Sequence, residues 1–234
     1  SRVVSFEEAD SKLRRLVSKL YEESGDFIMA AKFLSGINME SGSVPHTSAE
    51  KAFVYVHIAE LYLEEEDSVS AEQYINRAGQ VIHEVDDWQL EYKYRISLSR
   101  VLDSQRRFLE AASRYHELSK LHVTKVDEDD LMRLLAHAVI CAILSPAGPQ
   151  KTRLIGRLIS DERTKGLFHF SLLEKMYHER LLKQVEVAAV EVELHEHQKA
   201  VDREGFSVLE RAVVQHNLRA VSKLYSNISI DQLG

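Results

Sequence analysis

Along the first 120 or so residues, apolar side chains recur at three- and four-residue steps, and small ones recur about every forty. Asp26-Phe27-Ile28-Met29-Ala30, Asp67-Ser68-Val69-Ser70-Ala71 and Arg107-Phe108-Leu109-Glu110-Ala111 follow one another at offsets of 41 and 40 residues. Ala30, Ala71 and Ala111 fall in step, as do Leu34, Ile75 and Tyr115 four residues later. Upstream, Val17, Ile58 and Leu98 keep the same spacing, and so do Leu20, Leu61 and Val101. A fixed period in this range predicts stacked helical hairpins, each burying its apolar face on its neighbours. The matched alanines let paired helix backbones come close. Such a stack offers extended surfaces for binding other proteins rather than a site for chemistry.

The pattern divides into elements as follows. Ser5 and Glu8 have capping-box spacing and open a helix that runs to Ser24 and stops at Gly25. A second helix ends near Ile37, and residues 38–47, with Gly42 and Pro45, form a linker. The second hairpin covers 49–85, turning at Glu65-Glu66-Asp67, with Ala52, Val56, Ala59 and Leu63 on one stripe. The third covers 88–121. A fourth begins after Asp127-Glu128-Asp129-Asp130, breaks at Ser145-Pro146-Ala147-Gly148-Pro149 and resumes over 150–159. It lacks the alanine register, which places a boundary near residue 125. Further helices are expected at 167–182 and 206–217, with a last one to about 227. Residues 185–197 are read as helix, although Val190-Glu191-Val192-Glu193-Leu194 also alternates like a strand. Ser229 and Gln232 again have capping-box spacing, so the chain is expected to stop at the start of another helix, with a further module to follow.

Composition narrows the function. Only 9 Gly and 3 Pro among 234 residues suit long helices joined by short turns. A formal net charge of −7, with no basic stripe interleaved with aromatics, argues against a nucleic-acid partner. The single Cys141 rules out an intramolecular disulfide and suits a reducing compartment. No charged-then-apolar leader pattern opens the chain. The longest apolar run, 134–144, is interrupted by His137 and is too short for a bilayer. The expectation is a soluble intracellular protein with no membrane partner.

Candidate chemistry is sparse. His195-Glu196-His197 has a metal-like spacing, with Asp202 and Glu204 as nearby acids. On a helix, residues two apart point about 200° away from each other and could not grip one ion. A catalytic zinc would also need a third ligand and a placed base. Asp127-Glu128-Asp129-Asp130 reads as a helix start, where negative charge complements the helix dipole. His137 and Cys141 share a face of the apolar helix, but a nucleophile pair would need an acidic orienter, so both are read as core. Asn227-Ile228-Ser229 is a glycosylation pattern left idle without a leader. No phosphate-binding glycine loop, dinucleotide fingerprint or nucleophile elbow is present. No catalytic, cofactor-binding or metal residue is therefore assigned.

Runs spread along the chain carry a resemblance. They include Val4-Ser5-Phe6-Glu7-Glu8, Leu61-Tyr62-Leu63-Glu64, Ala71-Glu72, Tyr74-Ile75-Asn76-Arg77-Ala78, and Arg114-Tyr115 with Glu117-Leu118-Ser119. Later come Leu173-Glu174-Lys175-Met176-Tyr177, His197-Gln198-Lys199-Ala200, Arg211-Ala212-Val213, His216-Asn217-Leu218 and Ser222-Lys223-Leu224-Tyr225. In order and spacing these runs resemble the family of fourth subunits of the COP-nine signalosome, a PCI-domain family. Residues 184–196 depart most from its pattern.

The resemblance implies an all-α fold: a TPR-like helical-repeat solenoid over 1–125, leading into the helical part of a PCI domain over 126–234. The winged helix would begin after residue 228, where the similarity runs out. It also implies that the family's most N-terminal arm helices are not in this chain. The implied function is that of a non-catalytic scaffold and substrate-sensing subunit of the complex that removes a ubiquitin-like modifier (Nedd-eight) from cullins. Partners would be the other PCI-type subunits, the metalloprotease pair and a cullin–RING ligase, in cytoplasm and nucleus, with no cofactor. The family complex keeps its zinc in another subunit, on a His-x-His followed by a Ser and an Asp. Those followers are missing after His197. Two other readings stand beside this one: a paralogous PCI scaffold of the proteasome lid or of a translation-initiation factor, and a cryptic metal-dependent hydrolase built on His195 and His197.

Overall fold

The computed structural model describes residues 2–40, 45–121, 126–201 and 205–224. Among them are eleven α-helices, three short 3-10 turns and one isolated bridge between Val201 and Ser207, so the protein is all-α. The chain forms two compact units, Ser1–Gln105 and Arg106–Gly234. This division precedes the sequence boundary near 125, a position outside the described residues. It separates the two helices of the third expected hairpin.

The first unit holds α1 (Arg2–Ser24), α2 (Phe27–Ser35), α3 (Ser48–Glu64), α4 (Ser68–Val81) and α5 (Trp88–Ser104). Thr47 starts α3 through a reciprocal box: its hydroxyl accepts from Glu50 N at 3.2 Å, and the Glu50 carboxylate accepts from Thr47 N at 3.0 Å. α3 packs against α2, α4 and α5, which is why Ala52, Val54, Tyr55, Val56, Ile58, Ala59, Leu61 and Leu63 are all buried, around most of its circumference. The repeat register emerges as burial. Ala30, Ala71 and Ala111 are wholly buried, and Leu34, Ile75 and Tyr115 nearly so. Leu20 breaks the register, at 57% exposed where Leu61 and Val101 are buried.

The turns that follow α1, α3 and α5 use the same backbone device. Gly25, Glu66 and Arg106 all adopt left-handed φ, at 80°, 58° and 60°, and they are spaced by the repeat itself. Only the first is the glycine that this conformation favours. The following residue then caps the next helix. Asp26 accepts from Met29 N and Asp67 from Ser70 N, each at 3.0 Å, whereas Arg107 offers the helix Phe108–Ser119 no side-chain cap. An Arg107→Asp variant is therefore expected to gain about 0.5–1 kcal/mol, the usual worth of such a cap. It gives up an exposed pair with Glu110, whose value is a few tenths at most. A melting temperature at or below that of the parent would refute it.

One ionic contact ties α1 to α3. His57 Nε2 lies 3.0 Å from Glu22 Oε1, and its Nδ1 lies 3.8 Å from Glu60. Glu60, and then Glu22, raise the His57 proton affinity against the opposing effect of burial. The folded protein thus holds that proton more tightly than the unfolded chain does. The contribution is full below the unfolded value near 6.5 and is lost as pH rises through the higher folded value. The melting-temperature gap between the parent and His57→Gln is expected to close as pH is raised from 6 to 9; a gap independent of pH would refute this assignment.

The second unit holds α6 (Phe108–Ser119), α7 (Glu128–Leu144), α8 (Pro149–Ile159), α9 (Phe170–Tyr177), α10 (Gln184–Glu191) and α11 (Val208–Leu224). α7 is its axis, packed by α6, α8, α9 and α11, and every residue from Ala138 to Leu144 is buried. Asp127 caps it by accepting from Asp129 N, so the acidic run is a helix start as its spacing predicts.

Three expectations need correction here. α9 ends at Tyr177, not near 182, because Glu179 turns left-handed at φ 53° and the chain leaves the helix. The segment is then held by Asn217, whose Oδ1 accepts from Leu182 N at 2.9 Å while its Nδ2 donates to Leu182 O at 3.1 Å. With its amide used in this way, Asn217 ends no helix: α11 runs unbroken through it to Leu224. Finally, residues 185–197 are helical only as far as Glu191, and a 3-10 turn follows at Glu196–Gln198. The Ser5 side chain, Asp202, Glu204, the 227–229 pattern and the 229–234 capping signal lie outside the described residues.

Candidate functional site

The histidines singled out in the sequence come together as a stacked column. His137 on α7 stacks on His195 with ring centroids 5.6 Å apart and planes 21° apart. His195 stacks in turn on His197 at 5.7 Å and 7°. Tyr115 of α6 lies 5.5 Å from His137 and continues the column. Imidazole lone pairs lie in the ring plane, so parallel rings aim them side by side rather than at one point. No group of three or more His, Cys, Asp or Glu among the described residues is placed to hold a metal ion. Cys141 is fully buried in α7. The column joins two motifs that the sequence kept apart, and nothing in local spacing could reveal a contact between residues 137 and 195.

Several other buried polar groups have identifiable neighbours. Asp161 receives a fork from Arg163, Nε to Oδ1 at 3.0 Å and Nη2 to Oδ2 at 2.8 Å. The same guanidinium donates to the Ser119 carbonyl of α6. Arg163 thereby holds the Asp161 carboxyl down to about pKa 2. His116, 3.5 Å from Asp161, has its proton affinity lowered chiefly by burial and further by Lys120. His169 is buried 3.3 Å from Glu193, and burial lowers its proton affinity too. Lys151 is the residue that sequence reading missed outright. Its Nζ donates to the Ile143 and Ser145 carbonyls, both at 2.7 Å, capping the end of α7. Burial pulls it down to about pKa 7. It lines a small pocket between α8, α9 and α11, with Ile155, Met176, Ala212 and His216.

Surface chemistry is more telling. α1 packs one face on α2 and leaves Phe6, Leu13, Leu16 and Leu20 from 57% to 74% exposed. Phe6, Leu13 and Leu20 repeat every seven residues, with Leu16 beside them, the spacing of a helix-docking seam. A continuous apolar stripe of this kind marks an interaction face. Among the described residues, no helix is long and apolar enough to cross a membrane.

Comparison with known proteins agrees with this picture. The sequence pattern of the family described as PSMD12/CSN4, N-terminal, matches residues 1–129, more than half of the chain. A curated protein of Drosophila melanogaster named COP9 signalosome complex subunit 4 is 42% identical over all of this chain. Proteins of the same name from Emericella nidulans and Arabidopsis thaliana are 41% and 40% identical, again over the whole chain. The chain spans 57% of the first two relatives and 60% of the third. With its helical repeats, buried alanine register and matched N-terminal region, the chain belongs to the PSMD12/CSN4 family.

Proposed function

We propose that the chain acts as a non-catalytic scaffold within the COP9 signalosome, binding other subunits and helping to sense the cullin–RING ligase from which a ubiquitin-like modifier is removed. The observation that carries this reading is the unbroken similarity, about 41% over the whole chain, to proteins named as subunit 4 of that complex. The architecture supports it. Stacked hairpins contact chiefly their neighbours, so small rotations add along an arm, and binding at one surface can be relayed to another. The exposed stripe of α1 supplies an apolar face for a protein partner. In this role the chain works in cytoplasm and nucleus and needs no cofactor of its own.

The test is affinity purification of the tagged full-length protein from its own cells, with partners identified by mass spectrometry. Recovery of PCI-type subunits, the metalloprotease pair and cullins is the expected result. Recovery of proteasome-lid or initiation-factor subunits in their place would retain the fold and overturn the role.

A further inference from the structure

The second unit carries a surface of a different chemistry. An open groove runs between α6 and α8, one stretch toward Lys120 and one toward Arg114, the two sharing Arg153 and Arg157. Four exposed cations line it: Arg114 on α6, Lys120 at the end of α6, and Arg153 and Arg157 on α8. None has a carboxylate partner among the described residues, although the protein as a whole is acid-rich.

The acids beside them are committed elsewhere. Glu110 is taken by Arg107, Asp161 by Arg163 and Glu162 by Lys165. Glu117 is the single lining carboxylate left over. Four cations thus face one uncommitted acid. Arg153 and Arg157 stand one helical turn apart, a like-charge pair that weakens a helix and gains nothing from within it. Their field reaches inward, since Lys120 and Arg157 both add to the depressed proton affinity of the buried His116. Tyr177, 42% exposed, lines the Lys120 stretch beside Gly156, where even a methyl group would come within 3.3 Å of the ring.

We propose that this groove binds an acidic peptide segment of another protein. Its carboxylates pair with the forks of Arg153 and Arg157 and with Lys120 or Arg114, while an apolar side chain lies on Tyr177. The chemistry favours a peptide over nucleic acid. Glu117 inside the groove opposes a continuous anion but tolerates spaced carboxylates, and Tyr177 offers a contact for an apolar side chain. This inference stands apart from the choice of complex made above.

The probe is a fluorescein-labelled peptide of repeating Glu-Glu-Leu, titrated with the 234-residue chain and followed by fluorescence anisotropy. Saturable binding that weakens with added salt is expected. The double variant Arg153→Ala/Arg157→Ala should weaken it about tenfold or more, whereas Glu117→Gln should strengthen it. Arg133→Ala removes an exposed arginine of α7 that does not line the groove, and should leave affinity unchanged. Circular dichroism of every variant should match the parent, because all four side chains are exposed. No saturable binding, an equal loss in Arg133→Ala, or tighter binding of an oligothymidylate of matched charge would each overturn the proposal.

Discussion

An Ile75→Ala variant should lose about 2–5 kcal/mol of unfolding free energy, the usual cost of emptying a fully packed aliphatic site. Ile75 is 1% exposed and belongs to a cluster with Ala59, Leu63, Ala71 and Val101, which joins α3, α4 and α5. Two of its neighbours are alanines at positions where helix backbones approach closely, and backbones cannot collapse inward as a leucine side chain might. The void should therefore persist, which favours the upper half of the range. Urea unfolding of the variant against the parent measures this directly. A matched Leu16→Ala change, at a position 59% exposed, should cost under about 0.5 kcal/mol. Equal losses at the two positions would mean that the repeat register does not report the core.

The second large effect is expected at Arg163. Its removal by Arg163→Ala leaves the Asp161 carboxylate, only 9% exposed, beside His116 at 3.5 Å, whose own proton affinity is depressed by burial. It also strips the Ser119 carbonyl of its donor. Charged hydrogen bonds of this sort are worth about 1.5–3 kcal/mol; because Arg163 is itself 32% exposed, a loss near 2 is expected. The effect should depend on pH in a defined direction. Arg163 depresses the Asp161 carboxyl from 3.8 to about 2, so its stabilisation is complete above the unfolded value and vanishes as pH falls through the folded one. Parent and variant stabilities should converge between about pH 4 and 2. A constant difference across that range would show that the guanidinium acts through packing alone.

The first two hairpins, α1 with α2 and α3 with α4, were legible in the sequence because their cause is local and repeated. Two helix backbones come close most readily across small side chains, so Ala30 and Ala71 announce these pairings without any knowledge of the fold. The turns between them were only half legible. Gly25 declares a left-handed residue, but Glu66 and Arg106 adopt the same conformation without a glycine, which no local signal announces. The expected end at 217 fails because the Asn217 amide satisfies a distant segment at Leu182 while the helix continues. The histidine column and the Lys151 cap depend on tertiary contact and leave no trace in spacing. The basic groove is hidden in the same way. Its four cations are scattered over two helices, and only the structure shows that the neighbouring acids are already engaged.

The exposed face of α1 also bears on how the first unit breathes. α3 is clasped by helices on several sides, whereas α1 packs on α2 and turns its apolar stripe to water. In a stack held by neighbour contacts, the element with fewest supports opens first. Amide hydrogens should therefore exchange fastest in α1 and slowest in α3, with the Glu22–His57 contact as the latch between them. Whatever settles on Phe6, Leu13, Leu16 and Leu20 adds no new fold to the arm. It stiffens one that already exists, and α1 becomes the point at which occupancy is converted into rigidity.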